Sequence, residues 1–430
     1  MNCSTNYIKL SLMKTIKNIL LLLLGLSLSN CSSDDNDANN LPPQSFSLIG
    51  VTDGAIEVDV LPTFRWENAI DPEGQAVTYR ILLDTNSTPQ AVLSEGITST
   101  SFTASNRLLL ATQYYWRIEA TDASGNTTQS DIYSFTTRNL NLTDNLVIEN
   151  ATFPGRRNHS SVVFDGKIWV IGGQQDLATN SASNDVWFSE DGSTWTAATL
   201  SAPFTARANH TSVVFDNKIW VIGGFDAAAN YRNDVWFSSD GINWSEATAD
   251  APFSARLGHS SVVYDNKIWV ISGRSAAGYE SDGWYSTDGI TWVPATESAD
   301  FIGRTGHSTV VFDNEMWMIC GRDLSGAFAE IWHSSNGNDW TTVAADLSML
   351  ARSTHSTVVF DNKLWLTAGA NDTQRLNDIW YSDDGITWNE LTATASFSAR
   401  VGHSSVAFDN QIWVIGGYDG DEQNDVWAFD

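Results

Sequence analysis

The chain has 430 residues, room for about two to three domains, and 42% of them are hydrophobic, enough for sizeable cores. Acidic residues outnumber basic ones 51 to 23, a formal net charge of −28, which excludes nucleic-acid binding and polybasic membrane attachment, since both need a basic face. Cys3, Cys31 and Cys320 build neither a disulfide framework nor a four-cysteine zinc site, and the abnormal count is 19 tryptophans.

In chain order, the first element is an address. Lys14 and Lys17 precede an apolar run from Ile19 to Leu28, a secretory pattern too short to span a membrane comfortably. A start at Met13 makes the signal more ordinary. The run ends Leu28-Ser29-Asn30-Cys31. This resembles the lipobox of bacterial lipoproteins, with Asn30 in place of the usual small residue, and implies that Cys31 is lipidated. The acidic run that follows, Ser32 to Asp37, looks like the surface-export signal of lipoproteins in the Bacteroidetes group. Residues 1–30 are therefore expected to be a signal peptide and 31–44 a flexible tether. The expected location is the outer membrane or cell surface, with the membrane touched only through the lipid.

Residues 45–138 alternate in short runs such as Thr63-Phe64-Arg65-Trp66, broken by turns at Asp71-Pro72-Glu73-Gly74 and Ala123-Ser124-Gly125-Asn126. The spacing predicts an immunoglobulin-like sandwich. Leu110 to Tyr114 resembles the tyrosine corner of fibronectin type III domains, and Trp66 stands where their early core tryptophan sits. The role this suggests is a spacer.

Residues 145–430 repeat. Arg-x-x-His occurs at Arg156/His159, Arg207/His210, Arg256/His259, Arg304/His307, Arg352/His355 and Arg400/His403, with His-to-His steps of 51, 49, 48, 48 and 48. Each copy continues with a β-branched strand, a tight turn (Asp216-Asn217-Lys218), a second strand ending near Gly223-Gly224, a variable loop, a third strand (Asp234-Val235-Trp236-Phe237), a Ser-x-Asp-Gly turn and a fourth strand. Four antiparallel strands per unit of about 48 residues describe a propeller blade. Seventeen of the tryptophans fall on this pattern. The repeat resembles the kelch family, with its Arg-x-x-His-Ser motif and double glycine. Ser272-Gly273, Cys320-Gly321 and Ala368-Gly369 keep only the second glycine. The expected fold is all-β: a fibronectin III-like sandwich followed by a six-bladed kelch-type propeller. The last unit ends at Asp430 after its third strand, so Asn145 to Ile148, counted from Asp144, is expected to supply the missing strand beside Val426-Trp427.

The repeated histidines sit on a ring too wide to share a metal and are expected to hydrogen-bond between blades. No metal or cofactor is expected. Among kelch-type propellers, galactose oxidase uses a Tyr–Cys copper cofactor and off-pattern histidines. Here only His333 is off-pattern, and it stands in an aromatic position, so Cys320 reads as a buried apolar residue. The Ser-x-Asp-Gly-x-x-Trp turn (Ser286 to Trp292) resembles the Asp-box of sialidases but is one residue short. It reads as a hairpin turn.

The repeated acids Asp185, Asp234, Asp282, Glu330, Asp378 and Asp425 read as scaffold. Function is expected on the variable second-to-third-strand loops, where Tyr231, Arg232, Arg274, Tyr279, Arg322, Phe328, Arg375 and Tyr418 are the candidate ligand contacts. The motif arginines enter the same face and offer a second reading, an electropositive ring for a carboxylate. The expected function is a lipid-anchored binding protein for a protein or glycan ligand, without nucleic acid. The alternative is a carbohydrate-active enzyme similar to sialate mutarotases, with Glu280 and Glu330 as the weak acid/base candidates.

Overall fold

A computed structural model describes residues 40–143, 145–176, 179, 181–343, 347 and 350–430. The signal segment, Cys31, most of the tether and Asp144 lie outside the described residues.

Period-two alternation in the N-terminal region builds two sheets. One is three-stranded and contains Thr63–Trp66; the other is six-stranded around Thr78–Asp84 and Gln113–Thr121. Their facing sides close on Phe64, Trp66, Ile81, Trp116 and Ile118. The Leu109 N–H donates to the Tyr114 hydroxyl at 3.2 Å.

The repeats fold into six four-stranded antiparallel units, each around a tight turn. In unit two, Thr211–Phe215 and Lys218–Asp226 meet at Asp216-Asn217, with φ of 49° and 54°. That left-handed pair suits strand twist and is tolerated by Asp and Asn. The first strands, beginning at Ser160, Thr211, Ser260, Ser308, Ser356 and Ser404, lie side by side, and the last returns to the first. Unit six takes its fourth strand from the other end of the domain. Leu146–Ile148 pairs antiparallel with Glu422–Phe429, Leu146 opposite Trp427 and Ile148 opposite Val426. The ring therefore closes where the sequence predicts, because an unpaired edge would waste backbone hydrogen bonds.

The Asp-Gly turns lock neighbouring units. A Cβ on Gly241 would stand 2.1 Å from the indole of Trp169 in the preceding unit, and Gly192, Gly289, Gly337 and Gly385 meet Trp413, Trp220, Trp269 and Trp317 in the same way. These glycines are required both for their left-handed φ and because any side chain would displace the indole.

Unit six has no such turn, so Trp365 of unit five lacks its glycine. The sandwich takes its place. Val60, Leu110 and Leu140 join Trp365, Ile412 and Phe429 in one buried cluster, Arg107 stacks 5.1 Å from the Phe360 ring, and Asp361 accepts from Arg107 and, at 3.0 Å, from the Leu110 N–H. The turn aspartate is 72% exposed in unit two and 10% exposed in unit five. The domain read as a spacer is thus packed against the ring, on the face away from the variable loops.

Candidate functional site

Strand direction sorts the connections. The short turns share one face; the second-to-third-strand loops and the connections carrying the motif arginines share the other. On this loop face the motif arginines are buried, with side chains 0–1% exposed. Arg207 donates to Asp234 at 2.8 and 2.7 Å, to the Gly223 carbonyl at 2.9 Å and, through Nε, to the Thr205 carbonyl at 2.9 Å. The same pattern recurs at Arg156, Arg256, Arg352 and Arg400. Burial opposes ionisation of Asp234, but the hydrogen bonds and charge of Arg207, with the Trp236 indole hydrogen bond and the charge of Arg232, together outweigh it and hold the carboxyl below its ordinary range. With their donors spent inside their own unit, these arginines are no anion site, which corrects the electropositive-ring reading. Glu330 is the unit-four version of the same acid, bound by Arg304 at 2.8 Å and by the Trp332 indole N–H at 3.0 Å, so it is not the unpaired acid/base group an enzyme would need. Glu280 accepts from the Ser254 hydroxyl at 3.0 Å.

The six motif histidines bridge units. His210 Nε2 lies 2.9 Å from the Ser160 hydroxyl of the preceding unit, and His159, His259, His307 and His355 repeat the contact. His403 reaches Thr367 instead. Burial, and then the charge of the adjacent motif arginine, pushes His210, His307 and His403 down to about 3. They are neutral near pH 7. Among the described residues no group of three or more His, Cys, Asp or Glu could hold a metal ion. Cys320 is buried, donates to the Leu350 carbonyl at 3.2 Å, and has its thiol pushed up to about 12 by burial. His333 stacks on Trp317 at 4.8 Å and pairs with Glu315 at 2.6 Å. Units one to three place a lysine over Phe or Tyr at that site.

The residue before each histidine closes the channel mouth. The Asn209 N–H donates to the Asn158 carbonyl, Gly258 to Asn209, Gly306 to Gly258, Thr354 to Gly306, Gly402 to Thr354 and Asn158 to Gly402, at 2.7 to 3.2 Å. All six have φ between 52° and 63°, which explains Asn or Gly at five of them and makes Thr354 strained. Behind this ring lies a polar cavity of about 150 Å³.

Around the mouth, the residue after each motif arginine pairs with the residue after each glycine step: Arg157 with Gln174, Ala208 with Phe225, Leu257 with Arg274, Thr305 with Arg322, Ser353 with Ala370 and Val401 with Tyr418. The predicted contacts divide on this frame. Arg274 stacks 5.5 Å from the Tyr279 ring and is exposed. Arg322 is 47% exposed and lies 3.7 Å from Asp372. Tyr418 lies between the guanidinium groups of Arg375 and Arg157, at 5.3 and 4.6 Å. Tyr231 lines a cleft of about 550 Å³ between the loops of units two and three. Arg232 is tied to Asp226 of its own loop, and Phe328 lies 4.4 Å from the buried Arg304 guanidinium and covers it. Arg157, Asp372 and Leu324 belong to the face but escape sequence reasoning. Reading the variable column one residue past each fixed motif finds the first; the others show only in the folded loops.

The KLHDC2/KLHL20/DRC7 Kelch-repeats domain profile matches residues 120–321 and 284–430. Among solved structures, "Structure of YjhT" is similar with a TM-score of 0.54 at 16% identity, over 66% of this chain and 96% of that one. At that identity the likeness concerns the fold alone. No curated protein matches the chain.

Proposed function

The chain belongs to the kelch-repeat domain family of β-propellers, and on that premise we propose that it is a binding protein: a six-bladed propeller on a fibronectin III-like base, lipid-anchored through Cys31 at the cell surface. Its loop face meets a protein or glycan ligand. One observation carries this reading. In the ring, every arginine outside the motif (Arg157, Arg232, Arg274, Arg322 and Arg375) lies on the loop face, whereas the lysines Lys167, Lys218, Lys267 and Lys363 stand on the second strands just past the opposite-face turns. Of the five, Arg274, exposed over Tyr279, and Arg322, 47% exposed beside Asp372, are the ones offered to a carboxylate; Arg232 is bound to Asp226, Arg157 is 13% exposed, and Arg375 donates to the Asp419 carbonyl.

The test uses the soluble chain from Asn40, which keeps the sandwich, on glycan and peptide arrays. Arg274→Ala and Arg322→Ala are expected to weaken binding about tenfold each, the value of a bidentate charged contact, with the melting temperature unchanged. Arg256→Ala is expected to lower that temperature, because it strands Asp282 inside the unit. Loop variants that bind like the parent would place the site elsewhere. For the anchor, fatty-acid-analogue labelling of the full chain should disappear in Cys31→Ala.

A further inference from the structure

The loop face has two unlike halves. In units five, six and one the loops carry Asp372, Asp419, Asp421, Glu422 and Asp176, against Arg157 and Arg375. In units two to four each second-to-third-strand loop carries one acid and one arginine, Asp250, Glu297 and Asp300 stand on the connections, and the surface between them is apolar. Ala227, Ala228, Ala229, Ala276 and Ala277 are exposed, and the last three line the cleft beside Tyr231. Leu324 is 86% exposed, the most exposed large apolar side chain described, and Ile302, on the connection into unit four, is 52% exposed.

Single exposed aliphatics are ordinary. On the opposite face Ile242, Ile290 and Ile386 are exposed too, but they occupy one repeated turn position in three units and follow from the repeat. Leu324 breaks the repeat. It tips a hairpin in which Arg322 pairs with Ala327 and Asp323 with Gly326, a place where Asn, Asp or Gly is usual. The hairpin is braced from unit five, where Asp372 accepts from the Ala327 N–H at 3.0 Å. A braced aliphatic tip on the same face as an apolar cleft, one unit further round the ring, suits an interface anchor.

We infer that the half of the loop face built by units two to four docks a protein rather than a glycan. An apolar side chain of the partner enters the cleft beside Tyr231, Leu324 enters the partner, and basic residues of the partner lie over the acidic half. A glycan, bordered by hydroxyl groups, offers Leu324 nothing to exclude water with. This rests on the binding reading above and narrows it.

The probe is a phage-displayed random peptide library selected on the soluble chain from Asn40, with enriched peptides then synthesised and titrated by fluorescence polarisation. The expected peptides combine an aliphatic or aromatic residue with Lys or Arg. Leu324→Asp and Ala277→Asp should each weaken them at least tenfold, Ile290→Asp on the opposite face should not, and added salt should weaken all of them. Affinities untouched by Leu324→Asp and Ala277→Asp, or an enriched set lacking Lys and Arg, would overturn the inference. Glycan binding with an empty peptide selection overturns it while the binding reading stands; silence on both arrays and in the selection sinks both.

Discussion

At five seams of the ring a turn glycine lies on the indole of the preceding unit, as Gly289 does on Trp220; at the seam between units five and six the indole of Trp365 is covered by Val60, Leu110 and Leu140. The packing demand is identical, since each large ring must be kept from water. The means differ because the fourth strand of unit six arrives from residue 146 instead of through a hairpin. Borrowing the closing strand removes a turn, and the domain just upstream of that strand fills the gap. The sandwich is thereby part of the ring's core.

The largest test of this comparison removes the borrowed strand. Deleting residues 141–150 should destabilise the whole ring by more than about 4–5 kcal/mol, beyond ordinary single substitutions, and a melting temperature equal to the parent's would refute closure. Acid attacks all six seams alike. The motif histidines titrate far below their unfolded value of about 6.5, so their stability is intact above that pH and is lost as pH falls toward 3. Each contributes about 1 kcal/mol per pH unit in that window. Urea midpoints should fall steeply below pH 6, and His259→Gln should flatten the slope by one proton.

Removing the sandwich, by starting the chain at residue 141, takes Val60, Leu110 and Leu140 out of the cluster around Trp365. It should cost about 3–5 kcal/mol, the value of losing large core contacts, and unit five should be the first to lose amide protection. Asp361→Asn and Asp216→Asn make the same change in two copies of one turn. The first breaks the covered pair with Arg107 and should cost about 2 kcal/mol, whereas the second, on a 72% exposed side chain, should stay within about 0.5 kcal/mol. Equal costs would mean the sandwich is not docked there. The smallest effect has the opposite sign. Thr354→Gly relieves a β-branched residue at φ 53° and should stabilise by about 1 kcal/mol, read as a rise in melting temperature.

The units were legible because their contacts are local. Arg207, the Asp216-Asn217 turn, Gly223 and Asp234 all fall within one copy, and six copies of a pattern average out exceptions. The candidate face was legible as a set of loops but not as a site. Arg274, Arg322 and Tyr418 were singled out by residue type, as were Arg232 and Phe328. Their bonds to Asp226 and Arg304 depend on how each loop folds back on its own unit.

The sequence by itself determined the repeat length, the strand order, the strand positions of the tryptophans and the borrowed closing strand, because hydrophobic alternation, turn chemistry and an unpaired edge leave little choice. Only the tertiary structure decided which arginines were already spent, that the residues before the histidines close into a hydrogen-bonded ring, that Trp365 needs the sandwich, and that the loop face has an apolar half. Each of those joins residues far apart in the chain or in different units. Such contacts follow from where surfaces meet, which no local pattern encodes.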